Sequence, residues 1–219
     1  MFPELNDASA VAGPVALILL AAGASARMGQ AKQLLSYQGQ TLLRRAAETA
    51  VATGCQPLVL VTGALHESLV AEVAGLPFLT THNSDWNTGM GSSLRAGLAA
   101  AEKAPQPPAA VLIMLCDQPL VTPALLRKLL EQQRLTQVPV VAAAYGDTLG
   151  VPAVFGAATF PALRQQGGAE GARQLIARYG EAVGSVPFPG GIFDVDTPAQ
   201  YAALVRNSEG EKDTAGSNS

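Results

Sequence analysis

Val15-Ala16-Leu17-Ile18-Leu19-Leu20-Ala21-Ala22-Gly23-Ala24-Ser25-Ala26-Arg27-Met28-Gly29-Gln30-Ala31-Lys32 is the stretch on which the fold turns. Its first six residues are apolar without alternation, which predicts a buried strand covered on both faces. The small residues that follow predict a glycine-rich turn at the strand's carboxyl end, the edge where open α/β sheets bind ligands. Small side chains let successive backbone N–H groups approach phosphate oxygens. Arg27 and Lys32 add positive charge in a chain with only 14 basic residues. The spacing is neither G-x-G-x-x-G nor G-x-x-x-x-G-K-[ST], so a dinucleotide fingerprint and a Walker loop are both poor readings. A turn demanded only by tight packing is the competing reading, and the two cations weaken it.

Outward from this stretch, strand and helix signals alternate. Leu42, Leu43, Ala46, Ala47 and Ala50 line one side of a helix predicted over 41–53, with Gly54 placed to stop it. Strands are predicted at 57–62, at 77–80 and, most strongly, in the Ala-Ala-Val-Leu-Ile-Met-Leu run at 109–115. Helices are predicted at 66–73 and through 103, the latter capped by Ser92 or Ser93. Thr122 followed by Pro123 is a cap residue with proline at the first helical position, ahead of a stripe of Leu125, Leu126, Leu129 and Leu130. Four alternations by residue 133 predict an α/β fold of three layers, a mostly parallel sheet with helices on both faces. Beyond it, strands at 138–144 and 151–155 flank a turn at Gly146-Asp147, a helix is expected near 169–179, and Phe193–Asp196 ends a short strand before a helix opened by Thr197-Pro198. One domain over 14–206 is expected, with a loose leader at 1–13 and a polar, disordered tail at 207–219.

Composition narrows the function. A net charge of −3 and a pI near 5.4 argue against non-specific nucleic-acid binding, yet a few placed cations suffice for a small anion. Cys55 and Cys116 lack metal-ligand or C-x-x-C spacing and read as buried thiols of a reducing compartment. No apolar run is long enough to span a bilayer, so a cytoplasmic protein is expected. Neither His66 nor His82 has partners at zinc spacing, and no serine sits in G-x-S-x-G.

Three further segments carry chemistry. Asp117, in Cys116-Asp117-Gln118-Pro119, follows the 109–115 strand and faces the crevice beside the first loop. Triphosphate chemistry calls for a hard cation held by such carboxylates. Asp196 is the second candidate, in Asp194-Val195-Asp196-Thr197-Pro198, where Asp194 shares its strand face if the strand is real. Asp196 as a mere anchor of the last helix is the alternative. The polar segment from Asn83 through Trp86, Gly91, Ser92 and Ser93 precedes a helix whose N-terminus suits a phosphate or a base. Trp86 is expected to pack on the loop. Arg173 could fork onto an acceptor phosphate or stay on a helix surface.

The pattern L-x-A-G-x-S-x-R-M-G-x-x-K over Leu20–Lys32 resembles the signature loop of nucleotidyltransferases related to the enzymes that attach a nucleotide to molybdopterin. Among these the chain is most similar to the molybdenum cofactor cytidylyltransferases, over residues of about 15 to 205. The resemblance implies that Leu20, Ala21, Ala22 and Gly23 hold the nucleotide with Lys32 and Arg27. It implies backbone contacts to the base from Gly91 and Ser92, with Ser93 capping or touching the ribose. Asp117 and Asp196 would bind Mg²⁺, Asp194 would support them, and Arg173 would meet the acceptor's terminal phosphate. Leu-Ala-Ala-Gly rather than Leu-Ala-Gly-Gly points to CTP, on the argument that the Ala22 methyl tightens the pocket against a purine. Gly168-Ala169-Glu170-Gly171-Ala172-Arg173 departs from the family's G-D-x-G-A-R at Ala169. The implied reaction joins CMP from CTP to Mo-molybdopterin with loss of pyrophosphate. A xanthine dehydrogenase-type molybdoenzyme or its chaperone is the implied partner. A sugar-phosphate acceptor, a non-catalytic cofactor-binding chaperone and a flavin or nicotinamide oxidoreductase are the rival functions.

Overall fold

Val15–Leu20 forms the central strand, β1, and its side chains alternate between two cores. Leu17, Leu19 and Ala21 enter one, while Ala16, Ile18, Leu20 and Ala22 enter the other. That double burial is why the run shows no polar alternation. The computed structural model describes residues 13–25, 28–167 and 171–206. The leader expected from sequence, apart from Gly13, and the tail, together with Arg27, Ala169 and Glu170, lie outside them.

Around β1 the sheet adds β4 (Leu58–Thr62), β5 (Phe78–His82), β6 (Ala110–Leu115), β7 (Val140–Tyr145), β8 (Thr148–Gly156) and β9 (Val183–Pro187). Their spatial order is β5-β4-β1-β6-β8-β7-β9. The first four neighbours in that order are parallel; β8 runs against both β6 and β7, and β9 is parallel to β7. A two-residue pair, β2 (Ser36–Tyr37) and β3 (Gln40–Thr41), stands apart.

Helices cover both faces. One carries α1 (Leu42–Val51), α2 (His66–Glu72) and α4 (Pro123–Thr136); the other carries α3 (Met90–Ala101), α5 (Phe160–Arg164) and α6 (Ala172–Arg178). The caps follow the sequence at α1 and α4, where Thr41 and Thr122 accept from the N–H groups of Arg44 and Leu125 at 3.0 and 3.2 Å. Helix α3 lies so close to the sheet that a Cβ at Gly97 would fall 2.5 Å from Ile18 Cγ2. The result is a three-layer α/β structure of the Rossmann-like nucleotidyltransferase type.

Two expectations are corrected. Gly89, at φ 120°, occupies the N-cap of α3, so neither Ser92 nor Ser93 caps it; both are buried inside the first turn. Residues 193–196 form no strand, and the seventh strand is β9 instead. Backbone hydrogen bonding explains the difference: the Val195 N–H donates to the Asp117 carbonyl at 3.0 Å, so the segment is tied to a loop rather than a ladder. The final helix, α7, covers 198–206 as expected.

Candidate active site

The first loop is closed from within by a side chain the sequence reading passed over. Gln33, 1% exposed, donates to the carbonyls of Ala21 and Gly23 at 3.1 and 2.6 Å. Ser25, at φ 56°, donates to Gln33 Oε1 at 3.0 Å and accepts from the Lys32 N–H at 3.1 Å. These bonds hold the loop open-handed: a Cβ at Gly23 would meet nothing within 4 Å, leaving room for a ligand. The only sequence signal for Gln33 was its position one residue after the lysine.

Leu20, Ala21 and Ala22 keep their side chains in the cores, and their carbonyls accept from Cys116, Gln33 and Ala64. Ala22, 6% exposed, belongs to the apolar core that holds Val61 and against which Trp86 packs. The packing behind the loop is close. There a Cβ at Gly63 would come within 2.4 Å of the Ala22 carbonyl oxygen and 2.7 Å of Trp86, which locks loop, β4 and tryptophan together. Trp86 thus packs on the protein, as expected.

Lys32 gathers the two acids singled out from sequence. Its Nζ donates to Asp117 Oδ2 and, at 2.7 Å, to Asp196 Oδ1. Burial alone would lower the lysine pKa, but the charge and hydrogen bond of Asp117, then those of Asp196, raise it well above its ordinary value. Lys32 is therefore a fixed cation and not a base. Asp194 has no hydrogen bond to Lys32; its neighbours are the Gln118 amide and the Asp117 and Asp196 carboxylates. Its Oδ1 is buried without a hydrogen-bond partner, and burial followed by the nearby Asp117 charge lifts its pKa from 3.8 to about 6. Asp117 Oδ1 is likewise buried and unpartnered. Asp117 and Asp196 thus share one ammonium, and Asp117 Oδ1 is left as an acceptor of the kind a hard cation takes. Among the described residues no three acidic, histidine or cysteine side chains are grouped to hold a metal ion.

Across the edge, Asn83 organises the start of α3. Its Nδ2 donates to Ser92 Oγ and Ser93 Oγ at 2.8 and 2.9 Å, while Ser92 in turn donates to the Gly89 and Asp85 carbonyls. Gly91, Ser92 and Ser93 are all buried here, so this turn is fixed in advance of any ligand. Arg173 is exposed near the start of α6, on the β8 side, with its charge felt at Tyr145. Cys55 and Cys116 are free, buried thiols, and burial pushes Cys116 up to about 12. Among the described residues no helix is long and apolar enough to cross a membrane.

Comparison with known proteins gives the chain's relatives. A 118-residue segment is 41% identical to nicotine blue oxidoreductase of Paenarthrobacter nicotinovorans, covering 53% of this chain and 56% of that protein. Another of 86 residues is 34% identical to molybdenum cofactor cytidylyltransferase of Escherichia coli K12, covering 39% and 44%. The chain thus spans about half the length of these two curated relatives. In three dimensions it is similar to Rv0371c of Mycobacterium tuberculosis H37Rv in complex with manganese, with a TM-score of 0.71, 26% identity and coverage of 88% and 98%. The model of the MobA-like NTP transferase domain matches residues 17–183, and the chain belongs to that nucleotidyltransferase family.

Proposed function

We propose that the protein transfers CMP from CTP to the terminal phosphate of Mo-molybdopterin, releasing pyrophosphate and forming molybdopterin cytosine dinucleotide. The observation that carries this reading is the junction of Lys32 with Asp117 and Asp196 beside an open glycine loop. The similarity to a cytidylyltransferase supports the choice of nucleotide and acceptor.

In this reading the amides of the loop after Ala21 cradle the triphosphate, and Lys32, with Arg27, neutralises charge that builds on the α-phosphate. The first turn of α3, held by Asn83, meets the base through Gly91 and Ser92, with Ser93 beside the ribose. Asp117 and Asp196 would hold Mg²⁺, for which Asp117 Oδ1 already lies open. When bound, the cation supplies Lewis-acid stabilisation of the phosphoryl oxygens. The attacking phosphate is already anionic, so no general base is needed, and positioning with charge neutralisation carries the catalysis. Arg173 meets the acceptor's phosphate from the β8 side. The product is the form of the cofactor that a xanthine dehydrogenase-type enzyme or its chaperone would receive.

The test is a panel of nucleoside triphosphates with Mo-molybdopterin and Mg²⁺, read by pyrophosphate release and by the dinucleotide product. CTP should be preferred. Turnover only with sugar phosphates would move the protein to another acceptor class, and cofactor binding without pyrophosphate would make it a carrier. The 41% identity to a protein called an oxidoreductase favours one second reading, reduction of an organic substrate. Oxidation of a reduced nicotinamide by the purified chain would support it, and the panel would then stay silent.

A further inference from the structure

The chain has two histidines, and the fold puts them side by side. His66 opens α2, and His82 ends β5 at the edge of the sheet. Their ring centroids are 4.8 Å apart, with the planes tilted by 36°. Thr62, the last residue of β4, links them: it is buried, and the parallel ladder pairs it with His82. Residues paired in this way send their side chains to one face of the sheet, here the face that α2 covers.

The Thr62 hydroxyl fixes one of the rings. It lies 2.6 Å from His66 Nδ1 and 3.3 Å from the Thr81 carbonyl oxygen. A carbonyl can only accept, so the hydroxyl proton goes to Thr81 and the hydroxyl oxygen takes the N–H of Nδ1. The His66 lone pair is then on Nε2. Metal-binding histidines are oriented in just this manner, by a hydrogen bond at the other ring nitrogen.

We propose that His66 and His82 form a two-histidine site for a borderline divalent transition-metal ion, Zn²⁺, Ni²⁺ or Cu²⁺. Imidazole nitrogen suits these ions, whereas Mg²⁺ favours oxygen, so the site is chemically separate from the Asp117 and Asp196 carboxylates. The spacing agrees with that role. Two imidazoles bound to one ion at about 2.0–2.1 Å, with about 90–110° between the bonds, have centroids about 4.5–5.2 Å apart. His66 is half-buried and His82 exposed, so solvent reaches the pair. The protein supplies two ligands and water the others, so the ion exchanges readily, unlike one in a closed four-ligand structural site. When bound it would fasten the edge strand β5 to the start of α2. The turn between Thr62 and His66 carries Gly63, where a Cβ would fall 2.4 Å from the Ala22 carbonyl oxygen, so the site adjoins the support of the first loop.

The test titrates Zn²⁺ into the untagged full-length chain by calorimetry, with Mg²⁺ in excess to fill sites built of oxygen. Wild type should bind one ion. His66→Gln and His82→Gln each remove a ligand and should weaken Zn²⁺ binding by about tenfold or more, and Thr62→Val, which keeps the shape but not the hydroxyl, by about tenfold. With Cu²⁺ as the probe, the electron paramagnetic resonance spectrum of wild type should show coupling to two nitrogens, and that of either histidine variant to one. No Zn²⁺ binding by wild type, or an affinity unchanged in both histidine variants, would mean that the rings only stack and would overturn the proposal. A two-nitrogen Cu²⁺ spectrum that survives in both variants would do the same.

Discussion

The β1–β4 side and the β6–β8 side of the sheet's carboxyl edge are finished differently. On the first, Gln33 and Ser25 use their hydrogen bonds on the loop, and Asn83 ties down both serines of α3. On the second, Gln118 Oε1 and Asp194 Oδ1 are buried and unmatched. The difference teaches that one half is organised by its own side-chain hydrogen bonds, while the other keeps buried acceptors unmatched. Asp117 stands between them, bonded to Lys32 through one oxygen and open at the other.

The largest effect should come from breaking that shared position. Asp117→Ala is expected to lower pyrophosphate release by roughly 10²–10³-fold, the scale for losing one group preorganised at developing charge. Its near-ultraviolet circular dichroism should stay that of the wild type, and near-normal turnover would refute the assignment. Next is the finished half. Gln33→Leu strips the Ala21 and Gly23 carbonyls of their donor and should cost about 2–3 kcal/mol in urea unfolding, because buried groups are left unpaired. It should also raise the KM for nucleotide more than that for acceptor; equal changes would erase the contrast between halves. Gly63→Ala forces a methyl against the Ala22 carbonyl and Trp86, and about 1–3 kcal/mol is expected from such overpacking. An unperturbed crystal structure of that variant would show that the loop is not locked from behind.

The smallest effect sharpens the unfinished half. Because the Asp194 pKa is raised from 3.8 to about 6, folding favours its protonated form. That contribution is complete below about pH 4 and is lost as pH climbs through about 6. With chelator present, Asp194→Asn should therefore gain Tm relative to wild type more at pH 7 than at pH 4.5. A constant difference across that interval would show that the carboxyl is not held in an unfavourable setting.

Legibility in the sequence followed the range of the interactions. Val15–Leu20, the Thr122-Pro123 start and the β7–β8 hairpin are written in local pattern, and all three formed where expected. Lys32, Asp117 and Asp196 were legible as chemistry, and the fold brings them together across 85 and 164 residues of separation. The cap at Gly89 was misread because two serines imitate a cap, while Asn83, nine and ten residues upstream, claims both hydroxyls. The strand at 193–196 failed because its alternation is real but its backbone is spent on Asp117. β9 was missed because Gly184, Ser185 and Pro187 give it little β propensity; it exists because β7 offers an edge to pair with. His66 and His82 carried no motif at all, since what joins them is the pairing of β4 with β5.

The reversed direction of β8 has an evolutionary consequence. Because this strand runs against β6, the edge beside Asp117 ends in the tip of a hairpin, Gly146-Asp147, instead of a strand-to-helix crossover. Hairpin tips accept inserted or exchanged residues more readily than crossovers packed under helices. A lineage built on this plan can thus rewrite a few residues at that tip beside Asp117 while the register of the parallel half stays as it is.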